Sequence, residues 1–208
     1  TKQIRKNGLT YPYVSGQAWR YWWRNTLQKD FNWLLSPIER ESKIAFTAAD
    51  PILYADDDVF GYMKAATEEI TDDKGKTKKE NITVTRVSPL KNSAIIAVTA
   101  TRPVENWSSM SRQEGDAVPY TKQEYSAIMK GMFSLDLEQI GTFASYNRTG
   151  FKNLSEKLRL KAIEAGATEI IDDHMVEAKG VAHKLVRLEK ETRIKRIIET
   201  IGALKTIN

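Results

Sequence analysis

Hydrophobic positions first recur at helical spacing in residues 15–30, where Ala18, Trp19, Trp22, Trp23 and Leu27 define one face. Ser15 precedes the run and predicts an N-cap, because its hydroxyl can accept from an early helical N–H. The helix is expected to end near Lys29 or Asp30, and Pro37 marks a change of direction, since the residue before proline avoids helix. Residues 1–13 read as a basic extended segment turning at Asn7-Gly8. Strict alternation covers 125–137, where Tyr125, Ala127, Met129, Gly131, Phe133, Leu135 and Leu137 are apolar or small and the residues between them mostly polar. A period of two predicts a long half-buried strand, with a bulge near Gly131. Ile95, Ile96, Ala97 and Val98 predict a short central strand.

Helical spacing returns in 154–165, closed by Gly166, and in 182–201, with Leu185, Leu188, Ile194, Ile198 and Ile201 inward and Gly202 just beyond. Residues 67–85 predict a projecting hairpin, because the tip, 71–81, has no apolar residue and several turn formers. Residues 48–54 look irregular around Asp50-Pro51, and 145–153 look turn-like. Pro103, Gly115 and Pro119 among polar residues predict a long loop over 102–122. Mixed strands and helices, with two helices able to cover one sheet face, give an α+β class in a single domain.

With 208 residues the chain is long enough for a substantial core. Lys and Arg number 32 against 27 Asp and Glu, a formal charge of +5, which is compatible with nucleic acid without demanding it. The absence of cysteine excludes disulfides, a thiol nucleophile and a cysteine zinc site. No signal peptide and no apolar run of about 18 residues occurs, so a soluble cytoplasmic protein with no membrane partner is expected. The chain opens on Thr1 and stops soon after Gly202, and both ends read as cut.

Ser15, Gly16 and Gln17 occupy the predicted first turn, where backbone N–H groups and the helix dipole suit a phosphate. Arg20 and Arg24 stand one turn apart on the same strip of surface. Together they form a candidate backbone clamp for nucleic acid, although exposed arginines are also ordinary solvated residues. Asp56-Asp57-Asp58 could in principle hold Mg²⁺, but three adjacent aspartates cannot point one way, and a turn or a helix N-terminal cap is the expectation. Asp172-Asp173-His174 and His183 lack metal-ligand spacing and read as a surface turn. No phosphate-binding GxxxxGK[ST] motif and no nucleophile elbow occurs, and no cofactor is expected.

Three stretches carry a resemblance: Pro12-Tyr-Val-Ser-Gly-Gln-Ala-Trp-Arg-Tyr-Trp-Trp-Arg24, Asp56-Asp-Asp-Val-Phe-Gly-Tyr-Met63 and Arg86-Val-Ser-Pro-Leu-Lys-Asn-Ser93. In this order they resemble the DevR-type backbone subunit of type I-B CRISPR Cascade, in the RAMP superfamily. The resemblance implies a ferredoxin-like (RRM-like) palm with finger and thumb insertions, the finger at 67–85. It implies a non-enzymatic partner of CRISPR RNA that lines up head to tail with copies of itself and other Cascade subunits, meeting target DNA through the guide duplex. Phosphates would be gripped without base preference, while pairing carries the sequence information. Arg86 and Lys91 are added as second-rank RNA contacts, and Asn147, Arg148 and Lys152 as weaker ones. The alternatives are a metal-dependent ribonuclease using the aspartate triplet, as in type III relatives, and a regulatory protein.

Overall fold

Asn7 and Gly8 both have positive φ, 51° and 75°, and turn β1 (Gln3–Lys6) back onto β2 (Leu9–Val14), with Lys6 opposite Leu9. That is the backbone a two-residue hairpin requires, and Asn-Gly is the dipeptide that adopts it most readily. The computed structural model describes residues 1–208 except 42–43, 72–76, 111–113, 117, 149–151, 177–181 and 208.

The tryptophan helix, α1 (Gly16–Phe31), follows, with Trp19, Trp23 and Leu27 buried as the spacing predicts. Asn32 closes it at φ 56°. A short hairpin, β3 (Ile38–Glu41) with β4 (Ile44–Thr47), precedes α2 (Ala55–Phe60). The expected projecting hairpin is β5 (Tyr62–Thr71) paired with β6 (Thr77–Arg86); part of its tip lies outside the described residues. Gly61 joins α2 to β5 at φ 78°, and a Cβ there would stand 2.5 Å from the Arg86 carbonyl oxygen. Only glycine fits such a close approach.

After β7 (Leu90–Asn92) and β8 (Ile95–Ala97), residues 102–122 depart from expectation. The described part of this stretch forms an antiparallel ribbon, β9 (Val104–Met110) with β10 (Val118–Glu124), rather than a loop. Nearly every residue of the ribbon is exposed, so no inward face produced an alternation to read.

The predicted strand at 125–137 is broken into β11 (Met129–Lys130) and β12 (Phe133–Leu135). The alternation in burial holds from Tyr125 to Gly131 and again at Leu135, which are half-buried at every second position, but Phe133 and Leu137, expected inward, are exposed. Periodicity reports which way side chains face, not whether the backbone finds a partner.

Next come β13 (Thr142–Ala144), α3 (Glu156–Glu164), capped by the Ser155 hydroxyl on Leu158 N–H, and β14 (Thr168–Val176). Asp172, Asp173 and His174 therefore lie in a strand, not a turn. The single helix expected at 182–201 is instead β15 (Ala182–Arg187) followed by α4 (Lys190–Gly202). The buried side chains of α4 are Arg196 and Thr200, while Ile194, Ile198 and Ile201 are exposed. The interior here is polar, so the apolar stripe did not mark the inward face.

The result is an α+β chain of small antiparallel sheets with few helices. It divides into two compact units. One, Thr1–Tyr21 with Asn92–Phe133, contains the sheet β1-β2-β8-β11 and the β9–β10 ribbon, and β8 is central in that sheet as expected. The other, Trp22–Lys91 with Ser134–Asn208, contains the sheet β13-β15-β14, the two hairpins, α2, α3 and α4. Its apolar core gathers Phe143, Leu154, Ala162, Ala167 and Val186, so one face of the three-stranded sheet packs against α3. Among the described residues no helix is long and apolar enough to cross a membrane.

Candidate nucleic-acid interface

The first turn of α1 carries no acidic residue. The Ser15 hydroxyl accepts from Ala18 N–H at 3.4 Å, and Trp19 N–H makes the bond to Ser15 O at 3.1 Å. The N–H groups of Gly16 and Gln17 precede that bond, at the positive end of the helix. Gln17 is exposed. Arg20, one turn on and half-buried, donates to Asn92 Oδ1 at 3.0 Å. Ser15, Gly16, Gln17 and Arg20 thus all lie in the first unit.

Arg24 does not share Arg20's role. Its guanidinium donates to Asp56 Oδ2 at 2.6 Å, and this carboxylate is buried and also accepts from Ser36 N–H at 3.0 Å. Spacing along the helix places the two arginines on one strip, but a buried anion draws the second one inward.

All three aspartates of the triplet sit in the first turn of α2 and are buried, whereas the cap expected of them is Tyr54, with no side-chain capping bond. They diverge, as adjacent helical residues must. Asp56 takes Arg24. Asp57 accepts from Asp50 N–H at 3.0 Å; burial pushes its carboxyl above the usual carboxylate range, with the Thr47 and Ser36 hydroxyls opposing the rise. Asp58 pairs with both Arg86 and Arg196 and accepts from Gly141 N–H at 2.9 Å.

Arg86 is accordingly an interior residue rather than a surface contact. Only 4% exposed, it donates to Asp58, to Thr142 O at 3.0 Å and to Gln139 O at 2.7 Å, and lies 4.4 Å over the Phe143 ring. Lys91 is exposed beside it in sequence. Asn147 is exposed as well, whereas Arg148 is held on Asp172 at 2.9 Å. Lys152 contributes its backbone carbonyl, which accepts from Thr85 N–H at 2.8 Å, and its side chain is half-buried.

Arg86 and Arg148 do meet at one place, a cavity of about 810 Å³ on the second face of the β13-β15-β14 sheet, with Arg187, Glu138, Asp172 and Asp173. Its cations are paired internally: Arg187 reaches Glu138 at 3.3 Å. Burial alone would raise the Asp172 carboxyl, but the Tyr146 hydroxyl, His174 N–H and Arg148 together hold it below its ordinary range. With Asp136 the lining sets four carboxylates against three arginines, which makes a poor magnet for a polyanion.

The family model described as "CRISPR-associated negative auto-regulator DevR/Csa2" matches residues 1–207. This chain belongs to the DevR/Csa2 family. It is therefore a CRISPR-associated protein, as the three sequence stretches imply. A comparison with curated proteins finds no match.

Two residues of this DevR/Csa2 protein that matter to the geometry escaped the sequence reading. Asn92 supplies the acceptor for Arg20, and Arg196 shares Asp58 with Arg86. Asn92 lay inside a quoted motif, so its polar side chain beside a predicted strand was the available signal. Arg196 carried none, because it occupies a helix whose apolar residues pointed the other way.

Proposed function

We propose that this chain is a CRISPR RNA-binding backbone subunit of a type I Cascade complex. Copies line up head to tail along the guide, contact other Cascade subunits and present the RNA for pairing with target DNA. In this reading the fold is a ferredoxin-like palm, with β5–β6 as the inserted finger, and the protein works without a cofactor or a catalytic step. The observation that carries it is the start of α1: an acid-free first turn with Arg20 directed by Asn92, in a chain of the DevR/Csa2 family. Backbone N–H groups and a guanidinium grip phosphates whatever the base, which is what a guide of variable sequence demands.

The aspartate triplet supports binding over metal-dependent cleavage. Its carboxylates are engaged with Arg24, Arg86, Arg196 and backbone N–H groups inside the protein. The family's description favours a second reading, negative auto-regulation. Purification from cells expressing a CRISPR array separates the two. The backbone reading expects co-purifying guide RNA that dissociates steeply with salt, and expects Arg20→Ala to lower RNA recovery similarly for unrelated spacers. An RNA-free oligomer insensitive to salt would favour regulation instead.

A further inference from the structure

Asn92 sits 76 residues from Gly16 and 72 from Arg20, yet its one amide group joins them. Nδ2 donates to Gly16 O at 3.1 Å, and Oδ1 accepts from Arg20 at 3.0 Å. The orientation is forced by chemistry: turned over, the amide would set oxygen against a carbonyl and NH₂ against a guanidinium, two repulsive contacts in place of two bonds. Gly16 makes room for this bridge. A Cβ on Gly16 would stand 3.3 Å from Asn92 Nδ2, close enough to displace the amide by a few tenths of an ångström, and in ordinary contact with Ser93 O at 3.6 Å and Asn92 O at 3.7 Å. Gly16 thus leaves room for a side chain from β7, which goes beyond the phosphate-facing role read from its place in the helix.

We propose that Asn92 is a positioning residue for RNA binding: it fixes the Arg20 guanidinium in one direction before the phosphate arrives. The inference rests on the reading that Arg20 contacts guide RNA. A long arginine side chain loses rotamer freedom when it docks, so a fixed one loses less on binding. Asparagine suits the task and aspartate does not. A carboxylate would lose the donation to Gly16 O, oppose that carbonyl, and hold Arg20 as an ion-pair partner competing with phosphate.

The test uses the full chain and an unstructured, mixed-sequence single-stranded RNA titrated at several salt concentrations. R20A is expected to lower affinity and flatten the slope of log K against log[salt] by about 0.7, one single-strand phosphate contact. N92A is expected to weaken binding by about fivefold, the scale of one hydrogen bond, with the slope kept because the charge remains. The double variant R20A/N92A should bind as R20A does. A double variant that loses a further fivefold overturns the proposal, because Asn92 then acts on something other than Arg20. N92A binding as wild type overturns it too. Should N92A fail to fold, N92D decides: the expected result is a flattened slope like that of R20A, and wild-type binding overturns. R20A binding as wild type removes the underlying RNA reading itself, an outcome distinct from the others.

Discussion

Arg196 donates to Asp58 Oδ2 at 2.6 Å from 138 residues along the chain, while Arg86 pairs with the other oxygen of the same carboxylate. One buried anion therefore ties α2, the end of β6 and α4 together, and Gly141 N–H adds a fourth segment. Removing it leaves two buried guanidiniums without their counter-charge. Asp58→Ala is expected to cost about 3–5 kcal/mol, the usual range for breaking a buried ion pair, measured as the fall in urea unfolding free energy. A loss near that of a surface substitution would contradict the interior role.

Asp57 behaves oppositely. Its folded carboxyl is raised above its ordinary value of 3.8, chiefly by burial. A raised group contributes its stability fully below the unfolded value and loses it as pH rises through the folded value. At neutral pH the charged form is a liability, so Asp57→Asn should raise the urea midpoint there. The gain should shrink with acidification and vanish below about pH 3.8. A midpoint unchanged at neutral pH, or a gain that grows in acid, would refute this.

Arg24 and Arg20, equivalent by spacing, should separate by experiment. Arg24→Ala strands the buried Asp56 carboxylate and is expected to lower stability by about 2–4 kcal/mol. Arg20→Ala should shift stability by no more than about 1 kcal/mol, the scale of one hydrogen bond, and act on RNA binding. Thermal unfolding and RNA titration on both single variants check the split. Equal stability losses would return the two arginines to one class.

Gly61→Ala meets both a positive φ of 78° and the Arg86 carbonyl at 2.5 Å. At ψ 166° this is a region essentially restricted to glycine, costing about 1–3 kcal/mol for a residue with a Cβ, and the clash with backbone adds to it. Urea unfolding should show a drop of at least about 2 kcal/mol; a near-neutral result would mean the α2–β5 junction relaxes freely.

Local chemistry explains which elements were legible. Asn7-Gly8 dictates its own turn, Ser15 its own cap and the tryptophans their own face, so these follow from residues within one turn of each other. The family was legible as well, from three short stretches. Residues 182–201 misled because Leu185 and Leu188 continue the spacing of Ile194 and Ile198 through a change from strand to helix at 188–189. Residues 102–122 misled because a ribbon exposed on both faces has no hydrophobic period. At the candidate site, the placement of Gln17 and Arg20 was legible. The inward turn of Arg24 and Arg86 was not, since each answers to an aspartate distant in sequence, and no local pattern encodes such a pairing.

The order of synthesis gives the Asp58 tie a consequence of its own. While the ribosome is delivering residues 87 to 195, Asp58 and Arg86 are both present but their third partner is still unmade. A later-made helix that closes an interior charge cluster delays completion of this unit until residue 196 has been delivered. Nascent chains stalled before Arg196 should therefore remain open to protease, and become resistant once α4 has cleared the exit tunnel.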